Sequence, residues 1–240
     1  MINLKGITHS FGDNKLFNNF NLQVKSGEFV VIMGDNGAGK STICNLISGA
    51  LLPDSGEVLF DKTNVTKQNE HARAKYIAHV FQDPKVGTNS DMTVRENLSF
   101  AINKGKSLSL KRAVAKDNDV IFKERLEGLG LGLEDCLDQV VGTLSGGQRQ
   151  ALSLIMATFG EPKILLLDEH TAALDPQVAK VILAKTEEIV QKNKLTTIMI
   201  THNIPSAAKY GDRFIFMRRG EIVLDTRERL SNADIAELFE

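Results

Sequence analysis

"FVVIMGDNGAGKSTICNLISG", residues 29–49, decides the fold. The first five residues are apolar throughout, as in a strand covered on both faces. The last eight are spaced as a helix. Between them lies "GDNGAGKS" (34–41), which fits the pattern GxxxxGK[ST] in the context it requires: strand, loop, helix. Gly34, Gly37 and Gly39 let the backbone N–H groups of Asp35, Asn36 and Ala38 wrap an anion. The helix beginning at Lys40, Ser41 and Thr42 adds its partial positive charge. The Lys40 ammonium can reach the β- and γ-phosphates of a nucleotide, and the Ser41 hydroxyl can ligate Mg²⁺. A tight strand-to-helix turn with no ligand would explain the glycines but not the lysine and serine that follow them.

Further apolar runs, "IAHVF" (77–81), "ILLLD" (164–168) and "TIMIT" (197–201), read as strands of a parallel sheet packed by helices. Short strands are expected at 2–5, 21–24 and 58–60. "RFIFMRRGEIVLDT" (213–226) reads as a hairpin turning at Arg219-Gly220. The fold class is α/β: a P-loop NTPase core with a mainly parallel sheet and an antiparallel β part. From about residue 92 to 160 strand signals give way to helical ones, at 93–102, 110–129 and 145–159. The 240 residues are expected to form one domain, with 1–91 and 161–240 as the α/β core and 92–160 as an inserted helical subdomain. A short helix is expected at 231–239, capped by Ser231 or Asn232, with no regulatory domain beyond it.

Composition narrows the function. The net charge of -1 gives no field for nucleic acid or anionic lipid. Two distant cysteines, Cys44 and Cys136, suggest a reducing compartment and no disulfide framework. Cys44 reads as a buried apolar side chain of the first helix. The N-terminus lacks a signal peptide's apolar run, and no stretch approaches the roughly 20 residues that span a bilayer. No NKxD motif reads guanine, and no His or Cys set has zinc spacing.

Asp168 and Glu169 close a buried strand, where α/β folds bind ligands. Asp168 would hold Mg²⁺ through water beside Ser41, and Glu169 would polarise or deprotonate an attacking water. A solvated acidic pair is the plainer alternative. His202 ends "TIMITH" at the same expected edge, where it can hydrogen-bond the γ-phosphate and orient Glu169 or its water. Gln82 follows another strand. Its amide could touch the metal, or it could be a polar strand-end residue. Asp175 and Pro176 read as the cap and first position of a helix. His9, His71 and His79 have no such context. "LSGGQRQ" (144–150) opens a helix with two glycines, each costing roughly 1 kcal/mol against alanine.

These motifs together resemble the ATP-binding cassette (ABC) family: the Walker A loop "GDNGAGKST", the Q-loop Gln82, the signature "LSGGQ", the Walker B strand "ILLLDE" with the D-loop "AALD", and the switch His202. The resemblance spans nearly the whole chain. It implies an ATPase using ATP and Mg²⁺, with Phe11 at the aromatic A-loop position that stacks on adenine. It also implies a head-to-tail dimer of two cassettes, a homodimer in the simplest case. Each ATP would lie on one subunit's phosphate loop and under Ser145, Gly146, Gly147 and Gln148 of the other, with Asp175 also across the dimer. Ser145 would cap its helix or donate to phosphate, and the glycines would let the main chain approach the γ-phosphate. One departure stands out: the family often has proline after the catalytic glutamate, and this chain has His170, expected to tune the loop rather than disable it.

For function, the resemblance implies an energy-coupling subunit on the cytoplasmic face of a membrane. Separate permease chains would carry the solute, with an extracytoplasmic binding protein as a further partner. The Gln82 region and the helical subdomain would form the groove that receives the permease. Separate subunits resemble bacterial importers, and "DEHTAALDP…THN" resembles those of amino-acid type, aromatic systems included. A soluble cassette of translation or DNA maintenance is the alternative, although its relatives usually carry two cassettes or a coiled-coil insertion. A non-hydrolysing regulatory module is opposed by Glu169 and His202.

Overall fold

The computed structural model describes residues 2–103, 118–202 and 209–228, with 231, 234 and 238. The chain divides into two compact units: Met1–Ile77, Lys163–Glu169 and Lys194–Glu240 form the first, and Ala78–Pro162 with His170–Asn193 the second.

In chain order the elements are β1 (Ile2–Phe11), β2 (Asn14–Val24), β3 (Phe29–Gly34), α1 (Lys40–Ser48), β4 (Ser55–Phe60), β5 (Thr63–Asn64) and α2 (Glu70–Arg73). Then come β6 (Ile77–Val80), α3 (Pro84–Gly87), α4 (Val94–Ile102), α5 (Asp119–Glu127), α6 (Gly146–Thr158), β7 (Ile164–Asp168), α7 (Pro176–Asn193), β8 (Thr196–Ile200), β9 (Arg213–Arg218) and β10 (Glu221–Thr226).

The first unit holds two sheets. One is antiparallel, in the order β2-β1-β4-β5. In the other, β3 pairs in parallel with both β8 and β9, β7 pairs in parallel with β8, and β10 folds back on β9. Every residue of β3 and β8 is buried, as their unbroken apolar runs require, whereas β10 alternates along its length. Arg219 and Gly220 both have left-handed φ, which gives the tight hairpin turn at the expected dipeptide. Val30, Ile32, Ile43, Ile47, Leu166, Ile198 and Ile200 fill the core with Cys44. Each such aliphatic side chain contributes roughly 1.5–3 kcal/mol on burial. The fully buried Arg73 donates to the carbonyls of Leu46, Ile47, Val65 and Thr66 at 2.6–3.1 Å. Two of these acceptors are at the C-terminal end of α1, where helix carbonyls lack partners.

In the second unit Thr93 and Glu96 form a capping box on α4. Arg95 of α4 grips Asp119 of α5 with two bonds of 2.9 Å and also bonds Asp138. The helix expected over 110–129 is observed from Asp119 to Glu127, and 110–117 lie outside the described residues. Most of the expected tail helix at 231–239 lies outside them as well. Asp175 accepts from Gln177 N at 2.8 Å with Pro176 opening α7, so the capping expectation holds. α7 falls in the second unit, where Gly147 of α6 leaves the space that Val178 of α7 occupies. No helix among the described residues is long and apolar enough to cross a membrane.

Candidate nucleotide site

Strand register brings the chemistry of the first unit to one edge. Ile200 of β8 lies opposite Ile32 of β3 and opposite Asp168 of β7. The three strands therefore end level. The loop 34–39 leaves β3, Glu169 leaves β7, and Thr201-His202 leave β8 at the same side. The ladder continues one step further, with Glu169 N donating to Ile200 O at 3.0 Å and Thr201 N to Ile32 O at 3.3 Å.

The loop is held from outside itself. Asp35 N donates to Met217 O, and Gly220 N donates to Ala38 O, both at 3.2 Å. The Asp35 carboxylate pairs with Arg218 at 3.1 Å. Gly39 takes a φ of 97°, and a Cβ there would lie 2.7 Å from the Phe17 ring of β2. Glycine is thus required both for conformation and for the approach of the β1–β2 hairpin. Gly39 is also the N-cap of α1, and no side chain caps that helix, so its first N–H groups are left for a ligand. Asn36 and Gly37 form the exposed tip of the loop, and Thr42 follows in the first turn of α1.

Lys40 is buried and donates to Gly34 O at 2.8 Å and Asp35 O at 2.7 Å. Burial lowers its pKa, opposed by the charges of Glu169, Asp35 and Asp168. Burial raises the pKa of Asp168, opposed by a hydrogen bond from Ser41 and aggravated by Glu169. Ser41 and Asp168 thus present two hard oxygen donors to one point, a set suited to Mg²⁺, which takes few carboxylates and completes its shell with water and phosphate. Among the described residues no group of three or more His, Cys, Asp or Glu side chains could hold a metal by themselves. Glu169 has a left-handed φ of 46°, a sparsely populated conformation for a non-glycine residue. A carboxylate oxygen of Glu169 lies 2.9 Å from His202 Nε2.

The remaining sequence candidates are distributed as follows. Phe11 ends β1 and is 52% exposed, so its ring face is available. Gln82, Ser145, Gly146, Gly147, Gln148 and Asp175 belong to the second unit. There Ser145 and Gln148 form a reciprocal capping box on α6, and Gln148 Nε2 also donates to Leu131 O at 3.1 Å. Gln150 Nε2 donates to Phe81 O at 3.2 Å, which fixes the backbone just before Gln82. His170 is 2% exposed, and burial lowers its pKa to about 4. With Gln82 and Arg149 it lines a pocket of about 150 Å³. Sequence reading passed over His9, whose ring meets Phe11 edge-on. The available signal was its i, i+2 spacing from Phe11, which puts both on one face of a strand.

A phosphate-binding loop, a strand-end Asp-Glu pair with its histidine, and a capped "LSGGQ" helix define an ATP-binding cassette. The chain belongs to the ABC transporter family, whose model matches residues 17–172, and it is an ATPase subunit of that type. It is 46% identical to the tyrosine transport ATP-binding protein of Clostridioides difficile, covering 100% of this chain and 99% of that protein. It is 34% identical to the spermidine/putrescine import ATP-binding protein PotA of Haemophilus influenzae, covering 100% of this chain and 61% of PotA. Among solved structures it is similar to the cassette MJ0796 in a dimeric post-hydrolysis state bound to ADP and Pi, with TM-score 0.80 and 29% identity over 96% of this chain and 100% of that one. It is also similar to cbiO1 of Clostridium perfringens, with TM-score 0.81 and 27% identity over 98% of this chain and 92% of that one.

Proposed function

We propose that this chain energises the import of an aromatic amino acid, tyrosine first, through separate permease chains on whose cytoplasmic face it sits. The observation that carries the reading is the full-length 46% identity to a tyrosine transport ATP-binding protein. The alternative of a soluble cassette in translation or DNA maintenance gains nothing from these likenesses. A second copy of the chain completes the site, as the dimeric likeness supports, and an extracytoplasmic binding protein would deliver the solute.

Within the site, Lys40 exchanges its two carbonyl acceptors for β- and γ-phosphate oxygens, while N–H groups from Gly34 to Thr42 hold the rest of the triphosphate. Ser41 and Asp168 would hold Mg²⁺; bound there, the ion would neutralise developing phosphate charge. Glu169 accepts the proton of the attacking water, and His202 holds the carboxylate in place through Nε2. Phe11 offers its exposed face to adenine. Ser145, Gly146, Gly147 and Gln148, with Asp175, meet the partner subunit's ATP, where the helix N-terminus stabilises the γ-phosphate. A groove of about 540 Å³, lined by Val86, Asn97, Phe100 and Met156 among others, receives a helix of the permease. Its exposed Val86 and Phe100 supply the apolar contact.

Reconstitution with the permease chains in vesicles tests this. Tyrosine uptake should require internal ATP and should be competed by phenylalanine more than by spermidine. Uptake of a polyamine but not tyrosine would overturn the substrate assignment.

A further inference from the structure

We infer that His9 is a positioning residue for nucleotide binding: it fixes the ring of Phe11 and thereby sets affinity for the base. The inference rests on the reading that Phe11 stacks on adenine.

His9 and Phe11 share one face of β1, and their ring centroids are 4.8 Å apart at an interplanar angle of 89°. This is the edge-to-face arrangement that aromatic rings favour. The two rings differ sharply in exposure, with His9 at 6% and Phe11 at 52%. Both nitrogens of His9 are buried and make no hydrogen bond, so the imidazole cannot touch a base itself and acts through its neighbour.

The imidazole is itself held on two sides. Across the strand pair it lies opposite Phe17, whose ring abuts Gly39 of the phosphate loop. On its other side the Asp54 carboxylate stands 3.8 Å from Nδ1, beyond hydrogen-bond length. Asp54 is fixed there by the backbone, accepting from Ser10 N and donating its own N–H to Thr8 O, both at 2.9 Å. His9 thus sits on β1 between its pairing partner Phe17 of β2 and Phe11, whose ring it meets edge-on. Without the imidazole, Phe11 would rotate freely at the end of its strand, and ordering it would oppose binding.

The experiment measures equilibrium binding of ATP and of tripolyphosphate, together with kcat and KM, for the purified full chain carrying His9→Ala, His9→Phe, Phe11→Ala or both alanines. We expect His9→Ala to weaken ATP binding roughly three- to ten-fold, the range of an aromatic pair contact, and to raise KM while kcat and tripolyphosphate binding stay constant. His9→Phe, which keeps a ring edge in place, should bind ATP within about two-fold of the parent, and His9→Ala should add nothing in the Phe11→Ala background. Equal loss of ATP and tripolyphosphate would make His9 a structural support of the loop and overturn the inference, as would unchanged ATP affinity in His9→Ala. If Phe11→Ala itself binds ATP normally, the stacking reading fails and takes the inference with it. If only Phe11→Ala is impaired, the inference alone falls.

Discussion

Glu169 occupies a left-handed backbone conformation and gives one carboxylate oxygen to His202. Replacing it by glutamine keeps the shape and can keep that contact, but removes the basic oxygen. We expect Glu169→Gln to bind ATP normally and to hydrolyse it at least about 100-fold more slowly, the usual scale for losing a general base. Gel filtration with ATP and Mg²⁺ should then show a persistent dimer, and undiminished turnover would remove Glu169 from its role. The two signature glycines separate in the same way. A Cβ on Gly147 would sit 2.5 Å from Val178 Cγ1, whereas one on Gly146 meets nothing within 4 Å. Gly147→Ala should therefore destabilise the second unit by about 1–3 kcal/mol, with Val178→Ala restoring stability in the double variant. Gly146→Ala should melt no lower than the parent, and slightly higher if the glycine cost is recovered, yet lose ATP-dependent dimerisation. Half of the glycine cost seen in the sequence thus has an intramolecular reason, and only the other half is left to the partner.

Among elements, Arg95 ties α4 to α5 by two bonds to Asp119. Arg95 is buried, and its bonds to Asp119 and Asp138 hold its pKa well above the usual guanidinium value. Arg95→Met would remove the guanidinium that Asp119 and Asp138 share and leave an apolar side chain in its place. We expect a loss of about 3 kcal/mol, read as a lower urea midpoint, with nucleotide binding to the first unit spared. Elements are legible where pattern and punctuation agree: the apolar run 164–168 coincides with β7, and Arg219-Gly220 with the β9–β10 turn. In the β1–β2 hairpin the apolar signal marks only 2–5 and 21–24 of the strands Ile2–Phe11 and Asn14–Val24. Its middle is polar and its pairing slips at several steps, so the alternation that marks a strand is broken by bulges. Arg95 itself left no trace in the sequence, since its partners come from segments 24 and 43 residues away.

For the whole molecule, acid is the informative variable. Burial lowers the pKa of His79 from 6.5 to about 4, and its ring stacks on Phe81 with centroids 4.0 Å apart. The unfolded chain binds a proton below about 6.5 that the folded chain refuses until about 4. Stability is therefore complete above pH 6.5 and falls as the pH drops toward 4. His170, buried and lowered to about 4 as well, shares this window, so His79→Phe should reduce the decline in urea titrations without abolishing it, while leaving neutral stability close to the parent's. A decline identical in both proteins would show that His79 is not the group responsible. Motif order places these candidate residues along the chain; α7 follows the Walker B strand directly and packs in the second unit beside α6, where Val178 fills the space at Gly147.

Lys40 shows how the loop prepares for its ligand. Its ammonium is buried and already rests on two peptide oxygens. An arriving triphosphate therefore meets a donor that has given up much of its water in advance, and offers it charged acceptors in exchange for one pair of neutral ones. The move that captures the ligand is a swing of a four-carbon stem.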